Sequence, residues 1–219
     1  GIDKVIKNIQ KSKFKGILGI NIGKNFDTPI SKATNDYLIC FRKSYLFASY
    51  IVLNISSPNT KNLRKLQEFK NLEELLKVIK GEQKVLYKKY GKYVPFLLKI
   101  SPDNTNSQLT SICKLLKKYK IDGVIATNTT LSRSEIGKSP KRHESGGLSG
   151  LPLKSSSLKT LKFLKLSLNG KIPIIGVGGV MSGKDGKEKI DNGAELIQIY
   201  SGLIFKGHKL IYELCREIG

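Results

Sequence analysis

The sequence predicts an α/β fold built on a parallel sheet. Short β-branched runs alternate with helix-period segments from one end to the other. Each run is continuously apolar rather than alternating, which suits strands covered on both faces. The 219 residues, 39% hydrophobic and 26% charged, also suffice for a substantial core and exclude wholesale disorder.

The strand candidates are residues 16–21, 50–54, 94–100, 123–127, 172–176 and 196–200. Helices or helix-containing connections are predicted over 32–49, 62–90, 107–120, 155–168 and 183–192, with a closing helix over 209–218. No linker, long-period repeat or low-complexity tract interrupts the pattern, so residues 1–219 are expected to form one domain. A closed (β/α)8 barrel uses eight such units and about 250 residues. Six units leave two candidates: an open doubly wound sheet, or a barrel lacking roughly its first two β/α units. The chain opens on Gly1 and its single Met is Met181, so an upstream portion is expected to be missing.

Composition narrows the function classes. No apolar run reaches the length of a membrane-spanning helix, and no signal peptide stands at the start. The net charge of +22 rests on 39 basic residues, of which only Arg42, Arg64, Arg133, Arg142 and Arg216 are Arg. Nucleic-acid sites concentrate charge and favour Arg for bidentate contacts. Here Lys is scattered over the polar positions of amphipathic helices, which reads as a solvated surface; nucleic acid is not expected as a partner. Cys40, Cys113 and Cys215 are far apart, fit no metal or disulfide motif, and are expected to be buried small hydrophobes. His143 and His208 lack ligand-type neighbours, so no metal site is expected.

The chemistry is expected at the carboxyl ends of the strands. The fifth runs into Gly176-Val177-Gly178-Gly179-Val180 and the sixth into Gln198-Ile199-Tyr200-Ser201-Gly202, each before a helical pattern. Two consecutive glycine-containing loops of this kind suit a phosphate cup. The second strand ends in Asn54-Ile55-Ser56-Ser57-Pro58-Asn59-Thr60, whose amides suit an amide- or imide-bearing ligand; no Ser/His/Asp triad is available to Ser57. Lys99 stands alone among apolar residues of the third strand, placed to stabilise an anion or to form a Schiff base. The fourth strand ends in Thr127-Asn128-Thr129-Thr130, and Gly146-Gly147-Leu148-Ser149-Gly150 offers backbone on which a flat ligand could lie.

Together with residues 19–25, 122–130, 174–179 and 198–207, these segments closely resemble the dihydroorotate dehydrogenase family, in collinear order over essentially the whole chain. The resemblance implies a (β/α)8 TIM barrel that holds FMN and oxidises dihydroorotate to orotate in pyrimidine synthesis. By position, Asn21, Asn54, Lys99 and Thr127 would contact the flavin ring and ribityl chain, while Gly150, Gly179, Tyr200 and Ser201 would complete its phosphate end. Asn54, Asn59, Asn128 and Thr129 would bind the substrate, and Ser57 falls on the catalytic base. A Ser there, rather than a Cys, matches the quinone-linked class 2 branch. Members of that branch carry an N-terminal portion that completes the barrel, docks peripherally on the cytoplasmic face of the inner membrane and admits quinone. Without it, the 219 residues are expected to leave a barrel with two exposed sheet edges. Other readings of the residues are an inactive fragment, a phosphate-binding lyase using Lys99, and a basic nucleic-acid-binding module.

Overall fold

The computed structural model describes all residues, Gly1–Gly219. Six strands form one parallel sheet: β1 (Gly19–Ile22), β2 (Tyr50–Asn54), β3 (Phe96–Ile100), β4 (Gly123–Ala126), β5 (Ile174–Val177) and β6 (Leu196–Gln198). Each strand pairs only with its sequence neighbours, in the order β1-β2-β3-β4-β5-β6. A doubly wound sheet reverses its strand order at a switch point. This sheet never reverses, so its crossovers lay their helices on one side, as in a barrel wall. β1 and β6 each pair on one side only, which leaves two open edges.

Eight helices accompany the strands: α1 (Ile2–Lys11), α2 (Ala33–Ser44), α3 (Phe69–Tyr90), α4 (Asn106–Lys118), α5 (Lys154–Leu168), α6 (Gly183–Asp191), α7 (Ser201–Lys206) and α8 (Lys209–Ile218). Their sequences explain their limits. Thr105 opens α4 with a capping box, accepting from the Gln108 N–H while the Gln108 side chain returns to the Thr105 N–H. Leu109, Ile112, Cys113 and Leu116 then recur at helical spacing and are buried. Gly91, at φ 66°, ends α3 in the left-handed conformation that glycine adopts without strain.

Alternation along the strands divides the core in two. Ile51, Leu53, Phe96, Leu98, Ile100, Val124 and Ile174 point outward into the large core shared with α2 to α5. Phe41 of α2 is its centre, meeting Tyr45 at 5.7 Å and Phe96 edge-on at 5.8 Å between ring centroids. Val52, Leu97, Ile125 and Val177 point the other way and form a small plug inside the barrel wall. At the amino-terminal rim Asp122 accepts from the Phe96 N–H and from Gln83 Nε2, both at 3.0 Å, which fixes where β3 starts.

Several sequence expectations need correction. β1 begins at Gly19, not at residue 16, because its first partner is Tyr50 and the residues before it have no strand opposite. β6 stops at Gln198, as the chain turns there toward α7. α1 and α7 had no counterpart in the expected elements, although Ile2, Val5, Ile6 and Ile9 of α1 show helical spacing. Cys113 is buried and Cys40 partly so, but Cys215 is exposed, because α8 turns Leu210 and Leu214 inward instead.

Phe41→Ala is expected to destabilise the chain by about 3–5 kcal/mol in urea unfolding, because a fully buried ring leaves a cavity between two packed aromatics. A loss under about 1 kcal/mol would show that this core is not tightly packed.

Candidate active site

Parallel strands bring their carboxyl ends to one rim, and the alternation that makes the apolar plug sets the next inward position polar. Asn54 follows Val52, Lys99 follows Leu97 and Thr127 follows Ile125, each two residues on. Register places Asn54 opposite Lys99 on the adjacent strand. Lys99 is partly buried, and this desolvation pushes its ammonium below the usual lysine range. Its one side-chain hydrogen bond runs to Gln198 Oε1 at 3.4 Å, and it has no carboxylate partner. A cation so placed is available to an anionic or electron-rich ligand atom.

The polar loops after β2 and β4 are fastened to each other. Asn128 Nδ2 donates to Asn54 Oδ1 at 2.9 Å and to Ser56 Oγ at 3.1 Å. Ser56 Oγ donates onward to the Lys99 carbonyl at 2.6 Å, and Tyr37 holds the Asn54 carbonyl at 2.7 Å. Arg64 spans both loops, donating to the Ser56 carbonyl at 3.1 Å and the Thr129 carbonyl at 2.8 Å while pairing with Asp103 at 2.6 Å. Asn128 Oδ1 accepts from the Thr129 N–H at 2.9 Å, which fixes the direction of its amide. Ser57 is half-buried, and its Oγ accepts from the Asn59 N–H at 3.3 Å. Asn59 Oδ1 accepts from the Gly147 N–H at 3.2 Å and so ties the glycine loop to the β2 loop. Gly147 is required there, because a Cβ would run into Thr129 and the Pro58 ring.

Beside these loops lies a cleft of about 370 Å³, lined by Lys99, Thr127, Asn128, Thr129, Gly150, Gly179, Tyr200 and Ser201 among others. No Asp or Glu lines it. One end is formed by Gly178 and Gly179, at φ 107° and 73°, with Ser201 Oγ donating to Ser149 Oγ at 2.9 Å across from them. A Cβ on Gly179 would meet the backbone of Lys154, so only glycine lets this turn close on the start of α5. The donor set fits a flavin nucleotide: a diglycine turn lining the cleft for the phosphate, and amides, a hydroxyl and one unpaired cation toward the ring.

The cleft unites eight of the expected site residues. Asn54, Ser57 and Asn59 stand outside its lining but are joined to it through Asn128 and Gly147. Asn21 lies on β1, exposed and without a side-chain hydrogen bond. Two supporting residues were not anticipated, Arg64 and Asp103, while Gln198, expected only as part of the loop after the sixth strand, is the partner of Lys99. Arg64 carried a faint signal as one of the few arginines, close behind the Asn- and Ser-rich loop.

The family model for dihydroorotate dehydrogenase matches residues 1–219. The chain belongs to the dihydroorotate dehydrogenase family. Its relatives include the dihydroorotate dehydrogenase (quinone) of Methylobacillus flagellatus, 52% identical over 219 residues, and that of Buchnera aphidicola, 56% identical over 218. In both comparisons the whole of this chain is covered but only 65% of the relative. Among solved structures, ligand-free dihydroorotate dehydrogenase from Eimeria tenella superposes with a TM-score of 0.91 at 33% identity, covering 100% of this chain and 66% of that one. The same enzyme in complex with ferulenol gives 0.88 at 32% identity, covering 99% and 61%. The chain is thus a partial barrel of the dihydroorotate dehydrogenase fold, spanning about two-thirds of the length of its relatives.

Arg64→Met is expected to lower stability by about 1–3 kcal/mol, since it takes the ion-pair partner from Asp103, which keeps the Thr130 hydroxyl and Leu131 N–H, and the side-chain donor from two loop carbonyls. Urea unfolding of the variant measures this, and a change within about 0.5 kcal/mol would show that Arg64 does not fasten the loops.

Proposed function

We propose that this chain carries the flavin- and substrate-binding part of a quinone-linked dihydroorotate dehydrogenase, which oxidises dihydroorotate to orotate in pyrimidine synthesis. The observation that carries the reading is the Asn54–Asn128–Ser56 network set beside an unpaired Lys99 and a diglycine turn, in a cleft without carboxylates. The family and the relatives designated quinone enzymes support the same assignment.

In this reading Asn21, Asn54, Lys99 and Thr127 hold the flavin ring and ribityl chain, and Gly150, Gly179, Tyr200 and Ser201 hold the phosphate of FMN. FMN, when bound, supplies the acceptor for the hydride that leaves the substrate. Lys99 places positive charge where electron density accumulates on that acceptor, and its burial makes the charge count for more than it would in water. Asn54, Asn59, Asn128 and Thr129 orient the substrate by hydrogen bonds that pair donor with acceptor along a planar amide edge.

Ser57 takes the proton from the carbon next to the one that loses hydride. A serine hydroxyl is a weak base, so negative charge on its oxygen must be favoured locally. The Asn59 N–H, already directed at Ser57 Oγ, supplies that help. Thr60, an alternative relay by position, makes no hydrogen bond to Ser57. Transfer of electrons to quinone and peripheral attachment to the cytoplasmic face of the inner membrane belong to the same proposal. No helix of the chain is long and apolar enough to cross a membrane.

The test is anaerobic mixing of the flavin-loaded chain with dihydroorotate, followed at the visible flavin band. The band is expected to bleach. Ser57→Ala is expected to retain the flavin while bleaching about 10²- to 10⁴-fold more slowly at neutral pH. Full-rate bleaching in Ser57→Ala would sink the base assignment. Borohydride trapping of a carbonyl compound on Lys99, without a flavin spectrum, would replace the reading with Schiff-base chemistry.

A further inference from the structure

Lys189 is the one lysine in the chain sealed behind the diglycine turn. It lies on α6 and is 3% exposed. Its stem passes behind β5 at Gly176, where a Cβ would come within 3.1 Å of Lys189 Cδ. Its ammonium donates to Ser157 Oγ at 2.7 Å, and Ser157, itself fully buried, donates to the Val177 carbonyl at 2.7 Å. The same carbonyl accepts the Thr127 N–H at 2.9 Å. Val177 is the last residue of β5, and the next two residues are Gly178 and Gly179. Ser157 also packs directly behind the turn, its Cβ 3.1 Å from where a Cβ on Gly178 would sit.

The charge on Lys189 has no bonded counter-ion. The nearby acids Asp185 and Glu188 bond Lys154 instead, at 2.5 and 3.0 Å, and favour the Lys189 charge only from a distance, too weakly to cancel its desolvation. A buried ammonium with a neutral hydroxyl as its hydrogen-bond partner carries a large desolvation cost. That burial pushes its pKa down to about 8. Structural lysines of this kind are normally paired, and the solvated lysines elsewhere on this surface pay no such cost. An anionic group resting on the far side of the diglycine turn would offset it.

Resting on the FMN reading above, we propose that Lys189 is a positioning residue for the flavin phosphate: through Ser157 it fixes the Val177 carbonyl and hence the Gly178–Gly179 turn, and its buried positive charge is balanced by the phosphate that the turn holds. The role is selective for the phosphate. A lysine that merely filled space under Gly176 would support ring and phosphate binding alike.

Dissociation constants for FMN and for riboflavin, which lacks the phosphate, test this on the 219-residue chain by quenching of flavin fluorescence. Lys189→Met is expected to weaken FMN binding about 10- to 100-fold and leave riboflavin binding unchanged. Ser157→Ala is expected to lower the FMN-to-riboflavin preference in the same direction by a smaller factor. Equal weakening of both flavins, or no weakening of FMN, overturns the proposal. If Lys189→Met does not fold, Ser157→Ala decides alone, and an unchanged preference overturns it. A wild-type chain that binds neither flavin contradicts the FMN reading and this inference together. Wild-type FMN binding with a preference that neither variant changes removes only the role of Lys189.

Discussion

The site depends on the two-residue alternation of parallel strands whose order never reverses. Because neighbouring strands run the same way, their carboxyl ends and the loops that follow meet at one rim. Because side chains alternate, one face of each strand is committed to the helical layer and the other to the barrel interior. The interior side carries a thin apolar plug, made by Val52, Leu97, Ile125 and Val177. The next inward positions are polar, and they are Asn54, Lys99 and Thr127. A one-residue slip in any of these strands would drive the polar layer into the helical core and empty the cleft of its functional groups. Stability and chemistry are therefore set by the same register.

Upon this frame the loops are tied to one another by hydrogen bonds. Asn128 joins the β2 and β4 loops, Arg64 clamps them from behind, and Asn59 brings the glycine loop over them. Except for the local Arg64–Ser56 bond, these contacts span long stretches of sequence, so the site exists only once the sheet has assembled. Its electrostatics are one-sided. The cleft has no acid, Lys99 faces it from the floor, and Lys189 stands behind its diglycine end. Two lysines that are partly or wholly desolvated, neither bonded to a carboxylate, one lining the cleft and one behind its wall, favour an anion there far more specifically than does the diffuse surface charge.

Much of this was legible in the sequence. Strands buried on both faces write themselves as apolar runs, and a single Lys in such a run, Lys99, stood out for that reason. The Asn54–Thr60 loop and the paired glycine loops also declared themselves, since turn residues and amides cluster after the strands. What was hidden depends on partners. The start of β1 is set by where β2 begins, and no property of residues 16–18 reveals it. Lys189 sits in Gly183–Asp191, a helix so uniformly polar that nothing in its spacing marks which lysine turns inward; the space under Gly176 decides that. Cys215 looked like a core residue because its neighbours are apolar, but Leu214 beside it takes the inward position.

Hydrogen–deuterium exchange of the chain with and without FMN tests most directly that the carboxyl-terminal rim is the ligand site. The account predicts slowed exchange on adding FMN at residues 146–150, 177–180 and 198–202, with the opposite rim around Val94 and Asp122 unchanged. Protection centred on that opposite rim, or no protection at the glycine turns, would contradict it.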